Sequence, residues 1–345
     1  MMEKRSLGIP GLEASVVGLG CNNFGMKIDL TASRAVIDSA IDAGVTFFDT
    51  ADIYGNTQSE DFIGQVLGPR RKEIVLATKF GGAGWMNRKS GQRWGNRESI
   101  VRCLEDSLRR LRTDWIDLYQ YHFPDPATPL EETLAALDEV VRQGKIRAIG
   151  CSNLSGEQIA QAETYTTQHN SARFMTAQNE WSLLNREAER DVIPACTQYG
   201  LGQLPYFPLA NGMLTGKYRR GEAFATGSRL ATFERFQGLA SDDNFTKIEA
   251  LQNFAQKRGH TLLELAMSWL ATHPCVTSVI AGATTPEQIR ANATAANWKL
   301  SPAEMAEVNA LEQFSFGWDQ IAAVGKPATN IFRANGEQSA LQCGL

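Results

Sequence analysis

Three apolar runs in the amino-terminal part of the chain each end on a polar, titratable residue. The first stops at the carboxylate of Asp49, the second at Lys79 and the third at His122. Runs that are apolar throughout, rather than alternating, are typical of strands buried on both faces of a parallel sheet. Because parallel strands end at one edge, we expect these side chains to meet on one rim, with Tyr54 in the loop after the first run.

Short runs of this kind alternate with amphipathic stretches along most of the chain. The strand candidates are Val16–Gly20, Val45–Asp49, Ile74–Lys79, Ile116–His122, Ile146–Cys151, Phe174–Asn179, Leu201–Phe207 and Val276–Ala281. Helical spacing is found in stretches such as Ala32–Ala43, Glu98–Leu111, Leu130–Arg142, Gly156–Gln168 and Glu187–Tyr199, with Thr31, Asn96 and Ser155 as predicted N-caps. Eight such units predict an α/β protein, a (β/α)8 TIM barrel with extended loops at the carboxyl-terminal face.

The ends of the chain have their own signals. The turn sequence Ile9-Pro-Gly11 separates two short alternating runs, which predicts an N-terminal β-hairpin. We expect one barrel domain over residues 1–316, followed by a tail over 317–345 that has little helical period. The competing fold, an open doubly wound sheet, needs GxGxxG after the first strand, and Gly18-Leu-Gly-Cys-Asn22 does not supply it.

Composition excludes several classes of function. A net charge of -4 and the lack of long basic runs argue against nucleic-acid binding. The 6 cysteines are scattered without CxxC or His-paired spacing, which indicates reduced thiols rather than a disulfide framework or a zinc site. No signal peptide is evident, and no apolar run approaches the ~20 residues of a membrane span. These observations predict a cytoplasmic protein without a metal.

The four rim residues suit proton transfer. A free tyrosine has a pKa near ~10, so Tyr54 needs a charged neighbour to work well at neutral pH. An ammonium at Lys79 would lower that pKa, Asp49 would keep Lys79 charged, and His122 could bond a carbonyl oxygen. Each residue alone has an ordinary structural explanation, such as a strand-end cap or a core histidine, but four of them at successive strand ends favour a catalytic group.

In chain order and local motif, Asp49, Tyr54, Lys79 and His122 resemble the catalytic tetrad of the aldo-keto reductases. Other segments resemble that family's cofactor-binding segments; they are Gly150–Asn153, Gln178–Glu180, Tyr206–Lys217 and Gly282–Asn292. The resemblance implies reduction of an aldehyde or ketone, or the reverse oxidation, with hydride exchanged with NADP(H) or NAD(H) and Tyr54 as the acid or base. The alternative is a cofactor-sensing binding module, like the cytoplasmic potassium-channel subunits that share this fold.

The resemblance also implies a cofactor site. Ser152, Asn153 and Gln178 would bond the nicotinamide carboxamide, and Tyr206 would stack on the ring. The remaining positions would hold the phosphates and the adenosine end; they are Leu209, Gly212, Leu214 and Lys217, then Gly282, Thr284, Gln288 and Asn292. Better-known members place a cation for the 2′-phosphate at positions matching 282–284 or 288, and this chain has none. Family habit still favours NADP(H), with Arg290, Lys217, and Arg219 or Arg220 as the candidate substitutes.

Substrate selection is expected in the loops after the strands. Apolar and aromatic side chains there predict a carbonyl or alcohol substrate with an apolar or ring-shaped body; they are Phe24, Met26, Trp85, Trp94, Phe123 and Trp181. The segment from Tyr218 to Asp243 is a candidate lid. A metal-dependent barrel hydrolase is disfavoured because the chain has only 4 histidines and no His-x-His strand end. The sequence leaves the oligomeric state open.

Overall fold

The structure, a computed structural model, describes residues 2–88 and 91–311. The strands are β1 Lys4–Ser6, β2 Glu13–Ser15, β3 Val17–Gly20, β4 Phe47–Asp49, β5 Val75–Phe80, β6 Ile116–Tyr121, β7 Ile146–Ser152, β8 Phe174–Gln178, β9 Gly202–Gln203 and β10 Val279–Gly282. The helices are α1 Leu30–Asp42, α2 Gln58–Leu67, α3 Gly82–Met86, α4 Arg97–Leu111, α5 Leu130–Arg142, α6 Gly156–His169, α7 Val192–Tyr199, α8 Arg229–Thr232, α9 Asp242–Gln256, α10 Leu262–Thr272, α11 Pro286–Ala295 and α12 Pro302–Leu311. The tail predicted over 317–345 lies outside the described residues.

The parallel strands form a closed barrel, as predicted. In the described part of the chain they pair in the order β10-β3-β4-β5-β6-β7-β8-β9. Isolated parallel bridges from Gln203 to Val276 and from Tyr206 to Ile280 then bring β9 against β10. Helices pack around the outside, with α1 against α2 and α11, and α4 against α5. None of the helices in the described ranges is both long and apolar enough to cross a membrane.

The predicted hairpin closes the amino-terminal end of the barrel. β1 and β2 pair antiparallel. Leu7 and Leu12, each 1% exposed, pack with Phe47, Leu118 and Leu204 in an apolar cluster inside the barrel. Arg5 donates to two backbone carbonyl groups near the start of β10, which ties the hairpin to the wall. The opening of the barrel is therefore at the carboxyl-terminal ends of the strands.

Two helix starts were predicted correctly and one was not. Asn96 and Ser155 cap α4 and α6, and Ser155 forms a capping box with Gln158. The prediction of Thr31 as a cap is wrong, because the carboxylate of Asp29 accepts from the backbone N–H of Ala32 and α1 begins at Leu30. An aspartate two residues earlier satisfies the same free amides.

Two predicted elements are shorter than the sequence suggested. The stretch 187–199 is a 3₁₀ turn, Glu187–Glu189, followed by α7, because Asp191 leaves helical geometry between them. The predicted strand 201–207 is regular only at Gly202–Gln203. Pro205 has no N–H for the ladder and Phe207 has a φ of 52°, so the strand ends early and turns into a loop over the barrel mouth.

Candidate active site

The structure brings the four rim residues together. Asp49 is the last residue of β4, Lys79 lies near the end of β5, and His122 follows β6 directly. Lys79 Nζ donates to Asp49 Oδ2 at 2.7 Å, to Thr50 O at 2.8 Å and to the Tyr54 hydroxyl at 3.3 Å. The His122 ring meets Tyr54 edge-on, with centroids 5.9 Å apart. One ammonium thus joins the carboxylate and the phenol, as expected.

The charge of Lys79 agrees with expectation, whereas the pKa of Tyr54 does not. Burial lowers the pKa of Lys79, but Asp49 and Tyr54 raise it by more, so the ammonium stays charged. Burial also raises the pKa of Tyr54, and this outweighs the lowering by Lys79. The predicted fall in the tyrosine pKa is therefore wrong, because desolvation of the phenolate was left out of account. Tyr54 is a protonated hydroxyl at neutral pH.

His122 is neutral in this setting. Burial, and then the nearby charge of Lys79, hold the pKa of the imidazole well below its ordinary value. The main chain is fixed by its N–H, which donates to Phe80 O at 3.1 Å, and by its carbonyl, which accepts from Asn153 Nδ2 at 3.0 Å. The side-chain atom Nδ1 is buried and has no hydrogen-bond partner among the described residues. His122 can act as a neutral donor.

The residues predicted to hold a nicotinamide adjoin the tetrad in one hydrogen-bond network. Ser152 Oγ donates to Gln178 O at 2.9 Å, and Gln178 Nε2 donates to Asp49 Oδ1 at 3.0 Å. The Tyr206 hydroxyl donates to Asn153 Oδ1 at 2.8 Å. Asn153 in turn bonds the His122 carbonyl, so the amide, phenol and carboxylate groups share one face of the rim.

Gln120 belongs to this network and was missed. Its side chain is 0% exposed, and Nε2 donates to Asp49 Oδ1 at 3.0 Å. The sequence held a signal for it, since Gln120 and His122 are two residues apart in a strand and so face the same side. A polar residue at an inward position of a barrel strand needs a polar partner.

The loop after β9 has the unusual backbone expected near a phosphate. Phe207, Ala210 and Asn211 all have positive φ, which is uncommon for residues with a side chain. Gly212 has a φ of 98°, and a Cβ there would lie 2.9 Å from Lys217 Nζ. Glycine at this position therefore leaves room for the lysine. Leu209 and Leu214 belong to the same loop, where Leu209 O accepts from the backbone N–H of Leu214.

The predicted adenosine end forms a compact turn at the start of α11. Thr284 N and Oγ1 donate to Gln288 Oε1 at 2.8 and 3.0 Å, and Asn292 Nδ2 reaches Gly282 O at 3.5 Å. Arg290, one candidate for a 2′-phosphate, donates instead to Ser39 and Glu287, both at 2.8 Å.

Arg220, a second candidate, pairs with two carboxylates, those of Asp242 and Glu249. Both of these arginines are thus paired with carboxylates in the described structure.

Two further cations over the barrel mouth, Arg229 and Lys27, were missed, and they lie near the predicted Lys217. Arg229 lies on the candidate lid, 5.2 Å from the Phe207 ring and close enough to Tyr54 to interact with its charge. Its Nε is buried without a hydrogen-bond partner, and burial lowers the pKa of the guanidinium. Burial, then Arg229 and Lys217, lower the pKa of Lys27. Within the described residues none of these three cations has an ion-pair partner, and nothing in the local sequence distinguishes them from ordinary surface charges.

The predicted substrate residues fall into three groups. Met26 is 46% exposed, and Trp85 and Phe123 are partly exposed beside His122. Phe24 and Trp94 are 0% and 5% exposed and lie beneath the loops. Trp181 is wholly buried against Trp269 and His273, so the prediction that it supplies surface near the rim is wrong.

Comparison with known proteins decides the family. The sequence profile of the aldo/keto reductase family matches residues 16–313. The chain belongs to that family. This confirms the resemblance to the family, and it makes the chain an oxidoreductase of a family that uses NAD(P)H on small carbonyl substrates.

Relatives of this aldo/keto reductase include proteins named as reductases and proteins named as channel subunits. An aldo-keto reductase of Bacillus subtilis, YhdN, is 34% identical over 317 residues, which cover 90% of this chain and 93% of its own. A probable aldo-keto reductase 1 of Glycine max is 34% identical over 310 residues, covering 88% of this chain and 86% of its own. A probable voltage-gated potassium channel subunit beta of Oryza sativa is 36% identical over 300 residues, which cover 84% of this chain and 90% of the relative.

The rim of this aldo/keto reductase has the groups that proton transfer requires. A protonated phenol lies beside a charged ammonium, and a neutral imidazole lies at its edge. Among the described residues no three histidine, cysteine, aspartate or glutamate side chains are grouped so as to hold a metal ion. The polar groups at the barrel mouth thus include the Tyr54 hydroxyl as a proton donor and the charged Lys79 beside it. A set of cations without ion-pair partners among the described residues lies close by.

Proposed function

We propose that this aldo/keto reductase reduces an aldehyde or ketone to an alcohol with NADP(H), and that Tyr54 is the general acid. The observation that carries the proposal is the contact of the Lys79 ammonium with both Asp49 and the Tyr54 hydroxyl. A phenol held protonated beside a fixed positive charge is suited to give up its proton when an alkoxide forms. The cytoplasmic location is proposed from the sequence alone.

Each residue has a separate part in the reaction. The dinucleotide, when bound, supplies the hydride that reaches the carbonyl carbon. Tyr54 transfers its phenolic proton to the carbonyl oxygen, and Lys79 stabilises the phenolate that is left. His122 donates a hydrogen bond to the same oxygen as a neutral imidazole, and Asp49 offsets the charge of Lys79 in the buried site. In the oxidative direction the Tyr54 phenolate would be the base, which its raised pKa disfavours.

The residues at the mouth fit a dinucleotide. Lys27, Lys217 and Arg229 hold like charges close together, at a cost in electrostatic repulsion, and no carboxylate in the described chain offsets them. A polyanion such as a dinucleotide would supply the missing negative charge. Ser152, Asn153, Gln178 and Tyr206 supply the amide groups and the ring proposed for the nicotinamide. Leu209, Gly212 and Leu214 would serve the phosphates, and Gly282, Thr284, Gln288 and Asn292 the adenosine end.

The same loops favour a substrate with an apolar or ring-shaped body. Met26, Trp85 and Phe123 present apolar surface at the mouth, and Phe24 and Trp94 support that surface from below. Apolar walls exclude water from the reacting groups and strengthen the electrostatic contacts among them.

The experiment that tests the proposal combines binding with turnover. NADPH and NADH are titrated by fluorescence, and a panel of aldehydes, ketones and quinones is then offered while nicotinamide absorbance is followed. Tight binding with turnover of a carbonyl supports the reductase. Binding of neither dinucleotide would overturn the whole proposal.

The relatives named as potassium channel subunits favour a second candidate, a cofactor-sensing module. Such a protein would bind NADP(H) tightly but turn over slowly with every carbonyl offered. The complete tetrad argues for the enzyme, and the turnover measurement separates the two candidates.

The charge states at the rim predict a flat pH profile. With His122 neutral and Tyr54 protonated, we expect kcat/KM for reduction to vary by less than about twofold between about pH 6 and 9. Activity should fall only above about pH 10, because burial raises the pKa of Tyr54 and the acid keeps its proton up to that pH. An inflection near the ordinary histidine pKa, lost in His122→Gln, would show that the imidazole titrates and that its neutral state is wrongly assigned.

Removing the lid cation should weaken dinucleotide binding. Arg229→Gln is expected to raise the Kd of NADPH by about ten- to a hundredfold, since a hydrogen bond to a charged group contributes roughly 1.5–3 kcal/mol. Fluorescence titration measures this Kd. A similar loss of affinity for NADH would indicate that Arg229 contacts the pyrophosphate rather than the 2′-phosphate. Arg220→Gln is the matched control, because Arg220 is paired with Asp242 and Glu249. Equal Kd values for the two variants would contradict the role of Arg229.

A further inference from the structure

We infer that Trp85 and Phe123 are positioning residues whose stacked rings fix the orientation of the His122 imidazole. This goes beyond their predicted place in the wall of the substrate pocket. It rests on the proposed function, in which His122 donates a hydrogen bond to the carbonyl oxygen. Helix α3, which carries Trp85, and the described residues just before α4 thereby become part of the machinery that aligns the rim.

The first observation is the missing hydrogen bond on His122. The orientation of a functional imidazole is usually set by a hydrogen bond on its second ring nitrogen. Here Nδ1 is buried and has no partner in the described chain. The bonds to Phe80 O and from Asn153 hold only the main chain of His122. The torsion of the ring must therefore be fixed by packing.

The second observation is a column of rings that ends on His122. The Phe123 ring lies 4.3 Å from the His122 ring at 17°. The Trp85 ring lies 4.4 Å from the Phe123 ring, also at 17°. The edge of Tyr54 meets the same imidazole at 83°. Flat contact with Phe123 and edge contact with Tyr54 leave the ring little freedom to turn.

The third observation is that the main chain of Phe123 is held by the same loop. Trp94 Nε1 donates to Phe123 O at 2.9 Å, and Trp94 N donates to Asp125 Oδ2 at 2.8 Å. Gly84 makes this close approach possible, since a Cβ there would lie 2.3 Å from Trp94 Cβ. The loop thus grips Phe123 by its ring through Trp85 and by its carbonyl through Trp94.

A change in this loop would be transmitted to the reacting group. If Trp85 moves away, Phe123 loses its support and the imidazole can rotate or admit water. A small misplacement of a catalytic group costs rate rather than affinity.

The kinetic test compares two explanations of the same residues. Trp85→Leu and Phe123→Leu should lower kcat by roughly ten- to a hundredfold for small and bulky carbonyls alike, with KM and the Kd of NADPH changed less than about threefold. Trp85→Phe and Phe123→Tyr should restore most of the rate, because they keep a flat ring. A loss confined to bulky carbonyls and expressed in KM would overturn the inference and leave these residues as pocket wall.

A second readout does not depend on turnover. With ¹⁵N-labelled histidine, His122 in the wild-type protein should stay neutral from about pH 5.5 to 8, whereas in Trp85→Leu it should titrate closer to the ordinary value of about 6.5. Trp298→Leu is the matched control, because Trp298 stacks on His260 at 4.1 Å and 9°, and only the His260 signals should move. Unchanged His122 signals in Trp85→Leu and Phe123→Leu would overturn the inference. If the wild-type protein binds dinucleotide but reduces no carbonyl, the proposed function fails while these signals still decide this inference.

Discussion

Replacing Tyr54 with phenylalanine is expected to lower kcat for carbonyl reduction by about 10²- to 10⁴-fold, the usual contribution of a positioned acid. The phenol is the protonated group that Lys79 contacts, at 3.3 Å. The ring stays in place, so the Kd of NADPH should change less than about twofold. Nicotinamide absorbance and fluorescence titration measure the two quantities.

Tyr165→Phe is the control for this change. It removes a hydroxyl from a tyrosine on α6 that stacks on His169, outside the tetrad, and should leave kcat unchanged. A Tyr54→Phe protein that keeps more than about a third of the wild-type rate would show that another group is the acid.

Lys79→Met should disable the enzyme and also destabilise the fold. Lys79 is wholly buried, and its loss leaves the carboxylate of Asp49 without its cation. Removing one partner of a buried ion pair costs roughly 3–5 kcal/mol. Thermal unfolding should show a lower Tm, and kcat should fall because nothing stabilises the phenolate.

A double variant separates these two effects. In Asp49→Asn/Lys79→Met both charges are gone, and the amides of Gln120 and Gln178 can still donate to the Asn oxygen as they do to Asp49 Oδ1. We expect Tm to recover in part while kcat stays low. If kcat recovers together with Tm, the lysine serves only the stability of the fold.

The sequence predicted the parts of the site that depend on strand order. Asp49, Lys79 and His122 could be assigned to one rim because each ends an apolar run, and parallel strands place their ends together. Gln178 and Ser152 followed from the resemblance of their segments. The structure adds that all of them share hydrogen bonds around Asp49 and Asn153.

The features that the sequence could not predict depend on opposing energetic contributions or on contacts between residues far apart in the chain. The direction of the Tyr54 pKa shift is set by desolvation against the charge of Lys79, and burial is not visible in a local motif. The proximity of Arg229 to Tyr54 joins residues that are 175 positions apart in the chain. The stack of Trp85 on Phe123 joins α3 to the loop after β6, and their separation in sequence carries no periodic signal.

The hairpin that plugs the barrel has a kinetic consequence. With Leu7 and Leu12 filling the amino-terminal end of the barrel, ligands approach the described site from the carboxyl-terminal rim. Two ligands that share one route cannot pass each other, so the ligand that lies deeper must bind first and dissociate last. If the nicotinamide lies against Gln178 and Tyr206, the order of ligand binding and release follows from the fold. It is set by the hairpin that closes the end of the barrel opposite the active site.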